Sequence, residues 1–459
     1  MSNGNPINFC VLGGGGEIGA SCFEVSCNGH SILLDSGTHP KKEGLESLPA
    51  FSLLSRAPDA ALISHAHVDH CGSLPYLLRQ FPGVRSFATV PTVRLVDRML
   101  HNSVSVMNTL RKERGIEEYP LYEHEDVSYA MRLMRGQGYQ EWFDLPTRGI
   151  ETKACFNHAG HVLGSASVLL KFPGHTLFYT SDICETDQEL MSRYCPLDRS
   201  VEIDTLVIES THGAVDDEHA RVYEAEIPKL ADAVAGVLRG GGVALIPCFA
   251  LGRTQEITNI IARHQEAGLI PRAPIYASGL GRAIYEIYEK FPEYLSPNAE
   301  LRPLNDFKRI GNVWNHETME KLLHEPGIIV ATSGMMLENT PSALIAEALT
   351  RANHHGIFFV GYLDHETLGY KLLHSQIGDK LRYGLGRQPV ERKLENIKRF
   401  HFSAHAPRKA LQQVIHHIRP KNVVFVHGDA EAIRWMQDNA ANGCANFAPT
   451  IGQTITLEA

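Results

Sequence analysis

The spacing of apolar and polar positions changes rhythm along the chain. Near the start, "INFCVLGG" and "SCFEVSCNGHSILLD" read as short strands, and the second breaks at Asn28-Gly29. That dipeptide tolerates the two left-handed positions of a tight hairpin turn. "AALISHAH" is an apolar strand that runs into a histidine-rich turn, and "GSLPYLLRQ" predicts a short helix ended by Pro82-Gly83. Residues 92 to 135 carry mostly helical spacing. "ASVLLKF", "TLFYTSD" and "DTLVIES" predict strands again, the first two joined by a hairpin at Pro173-Gly174.

After Gly213 the texture is different. A long helical pattern, "HARVYEAEIPKLADAVAGVLR", leads to the buried strand "GGVALIP" and the helical "RTQEITNIIARHQEAG". "APIYA", "GRAIYEIYEKF", "GIIVATS", "PSALIAEALTR" and "HGIFFVGY" continue the alternation. Strand–helix alternation of this kind implies a parallel sheet with helices on both faces. From "RFHFSAHA" onward short strands and one helix are expected, with "NVVFVHGD" the clearest strand. The class is therefore α/β, divided as 1–212, an inserted 213–395, and 396–459 returning to the first domain. A chain of 459 residues exceeds what one core usually serves, in agreement with that division.

Composition narrows the class. With 43% apolar and 21% charged residues the chain is an ordinary globular one, and no apolar run approaches the roughly 18 residues of a membrane span. The opening "MSNGNPINF" lacks the basic and apolar regions of a secretory signal. Nine scattered cysteines without a Cys-x-x-Cys pair suit reduced thiols, so a cytoplasmic location is expected. The net charge of −9 argues against a non-specific nucleic-acid coat and leaves room for a local basic groove. The basic stretch Arg382, Arg387, Arg392, Lys393, Lys398, Arg399 reads equally as such a groove or as a solvated face.

The chemistry concentrates in "SHAHVDH", residues 64 to 70. Two histidines two residues apart, His65 and His67, point to one side of an extended segment and can share an ion. Asp69 and His70 lie just beyond. Four such ligands do not crowd one tetrahedral ion that must stay open for catalysis, whereas two ions about 3.5–4 Å apart accommodate them. "GGGGEIG" contains the Gly14-x-Gly16-x-x-Gly19 spacing of a dinucleotide fingerprint. That reading needs a helix next, and the adjoining segment is strand-like, so these glycines are expected to form a tight loop under the metal site.

Taken together these motifs resemble the metallo-β-lactamase superfamily, whose signature is His-x-His-x-Asp-His. Within it they resemble the β-CASP nucleases, the group that includes ribonuclease J and the endonuclease subunit of the pre-mRNA cleavage and polyadenylation factor. The resemblance spans nearly the whole chain. It rests on "LLDSG" with Asp35, "SHAHVDHCGSLP", "NHAGHVLGSAS" with His161, "YTSDI" with Asp182, "VIESTHG" with Glu209, "FSAHAP" with His405, and "FVHGD" with His427. "IPCFALGRTQEI" and "ATSGMML" match within the insertion. The implied fold is an αββα sandwich carrying an inserted Rossmann-like β-CASP domain.

The resemblance also implies roles. His65, His67 and His161 would hold one zinc ion, and Asp69, His70 and His427 a second. Asp182 would bridge the two ions, and Asp35 would steady the histidine turn without binding metal. Manganese is the alternative metal. The activity implied is two-metal hydrolysis of RNA phosphodiester bonds, endo- or exonucleolytic, leaving 5′-phosphate and 3′-hydroxyl. Asp69 and Glu209 would serve catalysis, and His405 would be the general acid. Taken singly, Glu209 is an ordinary strand-end carboxylate and His405 a capping residue; the surrounding motifs turn both readings. Histidine at 427, where DNA-directed members tend to carry valine, favours single-stranded RNA. Arg253 and the backbone around Ser333, Gly334 and Met335 would contact its phosphates, which carry no sequence information. A homodimer and a protein partner that supplies specificity are further expectations. Rival readings are a DNA nuclease, a small-molecule hydrolase, and an inactive scaffold subunit of an RNA-processing complex. Two departures stand out: Pro407 where the family has aspartate, and Asp364-His365-Glu366 where small or polar residues are usual.

Overall fold

The computed structural model describes residues 7–216, 223–384, 386–439 and 443–458. They fall into two compact units: Met1–Asp187 with Arg193–Ala220 and Ala404–Ala459, and Gln188–Ser192 with Arg221–Ser403.

The first unit begins with β1 (Ile7–Gly13), β2 (Cys22–Cys27), β3 (His30–Leu34) and β4 (Ala60–Leu62). β2 and β3 form the expected hairpin, with Asn28 at φ 50° and Gly29 at φ 77° in the left-handed region. β4 is only three residues long, so the histidine run lies beyond it and enters α1 (Val68–Cys71). Then come α2 (Leu74–Gln80), β5 (Arg85–Thr89), α3 (Val90–Arg114) and α4 (His124–Leu133). Thr89 caps α3 through its hydroxyl, and Gly115 ends it at φ 70°. The helical pattern expected over 92–135 is therefore two helices, and its last residues open β6 (Met134–Gln137). β7 (Trp142–Asp144), β8 (Lys153–His158), β9 (Ala166–Phe172), β10 (His175–Tyr179) and β11 (Thr205–Glu209) complete this stretch.

The second unit contains α5 (Tyr223–Arg239), β12 (Val243–Pro247), α6 (Arg253–Glu266), β13 (Ile275–Ala277), α7 (Gly279–Tyr288), β14 (Lys308–Arg309) and α8 (His316–Leu323). It continues with β15 (Gly327–Ala331), α9 (Pro341–Leu349), β16 (Gly356–Phe359), α10 (Leu368–His374), β17 (Lys380–Leu381), β18 (Val390–Glu391) and β19 (Asn396–Arg399). Six of these strands make a sheet in the order β14-β13-β15-β12-β16-β19, parallel throughout. β12, β15 and β16 are fully buried, and one apolar cluster packs on each face. The division at 395 needs correction. Residues 396–399 pair with β16 as the edge strand of this sheet, so the insertion extends to Ser403. At its other end it begins at Arg221 rather than 213, and Gln188–Ser192 packs with it as well.

The chain returns to the first unit with α11 (Arg408–Ile418), β20 (Asn422–Val426), α12 (Ala430–Asn439), β21 (Ala445–Phe447) and β22 (Thr454–Leu457). Two helices stand here where one was expected. Two seven-stranded sheets result, β22-β1-β2-β3-β4-β5-β6 and β21-β20-β11-β10-β9-β8-β7. Phe9, Val25, Phe156, Val168, Leu177 and Val207 from both sheets share one buried cluster, which makes the sandwich. α11 and α12 cover the outer face of the second sheet, and α3 lies on β5 and β6 of the first. The architecture is αββα.

Candidate metal centre

Every residue of the expected centre lies just past a strand of the sandwich or opens the helix after one. Asp35 comes after β3, His65 and His67 after β4, Asp69 and His70 sit on α1, His161 comes after β8, Asp182 after β10, and His427 after β20. Loops at strand ends carry chemistry because the sheet holds them rigidly while leaving their side chains accessible. Three non-glycine residues here, Asp35, Ser181 and His427, have φ between 50° and 61°. Such backbone persists only where surrounding contacts over-determine it.

Those contacts are visible. Asp35 is fully buried and accepts from Ser64 N (2.7 Å), Ser64 Oγ (2.8 Å), His70 Nδ1 (2.8 Å) and the Tyr179 hydroxyl (2.7 Å). It thereby fixes the tautomer of His70 and leaves Nε2 facing the centre. The α1 turn is pinned by Ser21 N to Asp69 O (2.9 Å), Ser36 N to His70 O (2.8 Å) and Thr38 N to Val68 O (2.8 Å). A Cβ on Gly37 would stand 1.8 Å from Asp69 O, so only glycine admits this approach. The glycine-rich loop after β1 reaches the centre too, since Gly14 O accepts from His427 N at 2.8 Å. That agrees with its expected place.

His65 Nε2 and His161 Nε2 each lie 3.1 Å from His67 Nδ1. His161 donates Nδ1–H to Ala404 O at 2.8 Å, which turns its Nε2 lone pair inward. On the other side, His427 Nε2 is 3.5 Å from Asp69 Oδ2, and His70 Nε2 is 3.9 Å from the same oxygen. Asp182 lies between the two groups. Its Oδ2 is 3.6 Å from His65, 3.3 Å from His70 and 3.8 Å from His161, and its Oδ1 is 3.2 Å from His427 Nδ1. His65–His67–His161 and Asp69–His70–His427 each bring three ligand atoms within 4.8 Å of one another.

The donor set fits divalent metal. His70 Nε2, Asp182 Oδ1 and His427 Nε2 are buried with no hydrogen-bond partner. Orphaned buried polar atoms are costly, and three of them among these ligand groups are accounted for by cations. The charge balance agrees. Burial presses His65 and His161 well below the usual imidazole range. Burial pulls His70 down as well, yet Asp182, Asp35 and Asp69 outweigh it and hold its pKa well above. Buried carboxylates packed against imidazoles whose charging burial opposes form an environment that a divalent ion suits.

Beside this centre, Glu209 ends β11 and accepts from Ile183 N (2.8 Å) through Oε1 and from His405 Nδ1 (3.0 Å) through Oε2. Burial opposes the charging of His405, but Glu209 and Asp182 prevail and raise its pKa to about 9. Its ring stands 4.6 Å from that of His161 and remains partly exposed. Pro407 caps α11 with its carbonyl, which accepts from Ala410 N and Leu411 N at 2.9 and 3.1 Å, so the missing aspartate leaves that helix start intact. Two nearby residues escape the sequence reading. Burial lifts Glu185 to about 7, with Glu209 adding to the rise, and His212 sets its ring edge-on to His405 at 5.9 Å. Only the adjacency of His212 to "VIEST" could have marked it.

Arg253, Ser333, Gly334 and Met335 belong to the second unit. They come together there at the carboxyl ends of β12 and β15. Arg253 opens α6, nearly buried, with Nη1 unpartnered and its guanidinium 5.9 Å from the Tyr223 ring. A Cβ on Gly334 would meet Phe249 N at 2.8 Å, so the two loops touch. Met335 O accepts from Gly369 N at 3.2 Å, and Ser333 Oγ from Leu337 N at 2.8 Å. Asp364 is buried and accepts from Glu366 N (2.9 Å), so the Asp364-His365-Glu366 departure builds a turn ahead of α10.

Sheet order and centre define a metallo-hydrolase of the metallo-β-lactamase fold. Comparison with known proteins places it further. Residues 15–85 match the metallo-beta-lactamase superfamily, 254–372 the Beta-Casp domain, and 389–447 the Zn-dependent metallo-hydrolase RNA specificity domain. The chain is 30% identical over 448 residues to the RNase J-like protein of Methanocaldococcus jannaschii, covering 97% of this chain and 95% of that one. It is 31% identical over 436 residues to cleavage and polyadenylation specificity factor subunit 3 of Dictyostelium discoideum, covering 92% and 53% respectively. It is 29% identical over 462 residues to endoribonuclease YSH1 of Candida glabrata, covering 97% and 58%. The chain thus spans just over half the length of several of these curated relatives. A crystal structure of a protein of unknown function from Enterococcus faecalis V583 shares the fold, with TM-score 0.59 at 15% identity over 98% of this chain and all of that one. The chain belongs to the β-CASP family of the metallo-β-lactamase superfamily.

Proposed function

We propose that the chain is a zinc-dependent ribonuclease that hydrolyses phosphodiester bonds of single-stranded RNA, leaving 5′-phosphate and 3′-hydroxyl. The observation that carries this reading is the convergence of His65, His67, Asp69, His70, His161, Asp182 and His427 with three buried polar atoms left orphaned among them. His65, His67 and His161 would hold one ion, Asp69, His70 and His427 the other, with Asp182 shared. Bound there, two zinc ions supply an activated water and neutralise charge gathering on the phosphate oxygens.

The chain's own residues supply the rest. Against the pull of burial, Glu209 and Asp182 raise the pKa of His405 to about 9, which favours the protonated ring at neutral pH. With Nδ1–H given to Glu209, Nε2 is the ring atom that would pass a proton to the departing 3′-oxygen. Relatives named as endoribonucleases and as an RNase J-like protein support RNA as the substrate. The nine cysteines, none in a disulfide, support a reducing cytoplasm as the compartment.

The test compares 5′-labelled RNA, DNA of the same sequence and a chromogenic lactam on zinc-loaded protein. RNA cleavage that His65→Ala abolishes and His405→Ala slows by about 100-fold or more is expected. RNA cutting by His65→Ala at the wild-type rate would overturn the reading.

A further inference from the structure

The second unit carries a group of rings and cations at the carboxyl end of its sheet that the centre does not use. Tyr362 lies three residues past β16 and is 54% exposed. Tyr370 and His374, one turn apart on α10, stack at 4.0 Å with an interplanar angle of 30°. α10 packs against the edge strand β19, whose last residue is Arg399. The Arg399 guanidinium is half-buried, its Nε has no hydrogen-bond partner, and the Arg399 backbone lies opposite Phe359 in the β16–β19 pair, three residues ahead of Tyr362.

This group is continuous with the neighbouring loops. A Cβ on Gly361 would lie 3.2 Å from the Phe249 ring, so the segment bearing Tyr362 abuts the loop after β12 that leads to Arg253. In strand order, cation, ring, ring and cation therefore succeed one another along one end of a parallel sheet. Ligands of open α/β sheets bind outside the carboxyl ends of the strands.

We propose that Tyr362, Tyr370 and Arg399 form a base-stacking platform for single-stranded RNA, a proposal that rests on the ribonuclease reading. The chemistry selects this occupant. A nucleobase offers a flat face to each ring, and its phosphate offers the acceptor a guanidinium needs. Rings flanked by cations are how sequence-tolerant single-strand grooves are built. Asp364, which accepts from the Tyr362 hydroxyl at 3.3 Å, fixes that ring's direction rather than meeting phosphate. Lys371 and Lys398 stand exposed on the same two elements and add to the positive field.

The experiment measures binding of fluorescent decauridine, and of the same backbone carrying a run of abasic ribose positions, to the full chain in EDTA, where cleavage is silent. Tyr362→Ala and Arg399→Ala are each compared with wild type. Tyr362→Ala is expected to weaken decauridine about tenfold while leaving the abasic strand unchanged. Arg399→Ala is expected to weaken both. Equal loss on both strands in Tyr362→Ala, or no loss on either, overturns the platform. A second measurement needs no variant: decauridine bearing one 4-thiouridine, irradiated on wild type, should crosslink within 361–374, and crosslinks confined elsewhere refute the proposal. Failure of wild type to bind or cut RNA overturns the ribonuclease reading and the platform together. RNA cutting that zinc supports, without base-dependent binding, overturns the platform alone.

Discussion

Asp35 shows how much one carboxylate can organise. It accepts four hydrogen bonds and joins β3, the histidine turn and β10 in one fully buried network. Asp35→Asn keeps the shape but presents a donor where three of those partners also donate. His70 then loses the acceptor that fixes its tautomer. Metal affinity is expected to fall by about 10–100-fold, as it does when such supporting groups are changed elsewhere. Zinc titration against a competing chromophoric chelator measures it, and unchanged affinity would show that His70 is oriented by other means. The role of Asp35 was legible because its motif is short and intact. Glu185 was not, because "ETDQE" reads as a solvated acidic string and only tertiary burial distinguishes one carboxylate in it.

At the level of elements, legibility tracked burial. The β2–β3 hairpin could be read because Asn28-Gly29 itself carries the geometry. α8 could not, since its apolar face is only Met319, Leu322 and Leu323, of which Leu322 alone is buried, too short a run to show a period. β19, with alternating half-exposed and exposed positions in "NIKR", gives no sign of a parallel sheet, and so the boundary at 395 fell short. The segment Gln188–Ser192 was equally hidden, because what binds it to the second unit is tertiary: Leu190 O accepts from Ser296 N at 2.8 Å, and α6 supplies most of the rest. On α6, Glu256 accepts from Leu190 N (3.1 Å) and Tyr223 Oη (2.9 Å), and Asn259 and Arg263 hold Glu189. Burial lifts Glu256 to about 7, with Arg253 and Tyr223 pulling the other way without offsetting it. As pH rises from about 4.5 to 7, the unfolded chain releases this proton while the folded chain keeps it. The folded state then binds more protons, and stability falls across that window and levels off above it. Glu256→Gln lacks this dependence. Its denaturation midpoint should therefore rise relative to wild type between about pH 5 and pH 8, and a fall would mean that Glu256 is ionised in the fold.

Over the whole molecule, the centre is assembled from segments that lie hundreds of residues apart, from His65 to His427, and all of them belong to the first unit. The sandwich is closed only when the chain returns after the insertion, since β22 supplies an edge of the first sheet, β20 and β21 an inner and an edge strand of the second, and His427 lies just past β20. Metal should therefore act as a staple on that unit. A cation that binds the folded centre but not the unfolded chain stabilises by about 2.7 kcal/mol at one hundred times its Kd, several degrees for a unit of this size. Chelation is accordingly expected to lower the unfolding of the sandwich while leaving the parallel-sheet unit unmoved, because no residue of the centre lies there. Calorimetry with and without EDTA, then proteolysis at the intermediate temperature, separates the two: fragments from the first unit should appear first. In His65→Ala the chelator shift should shrink. An unchanged transition in wild type would remove the metal from the folding of this chain and leave its orphaned donors without an occupant.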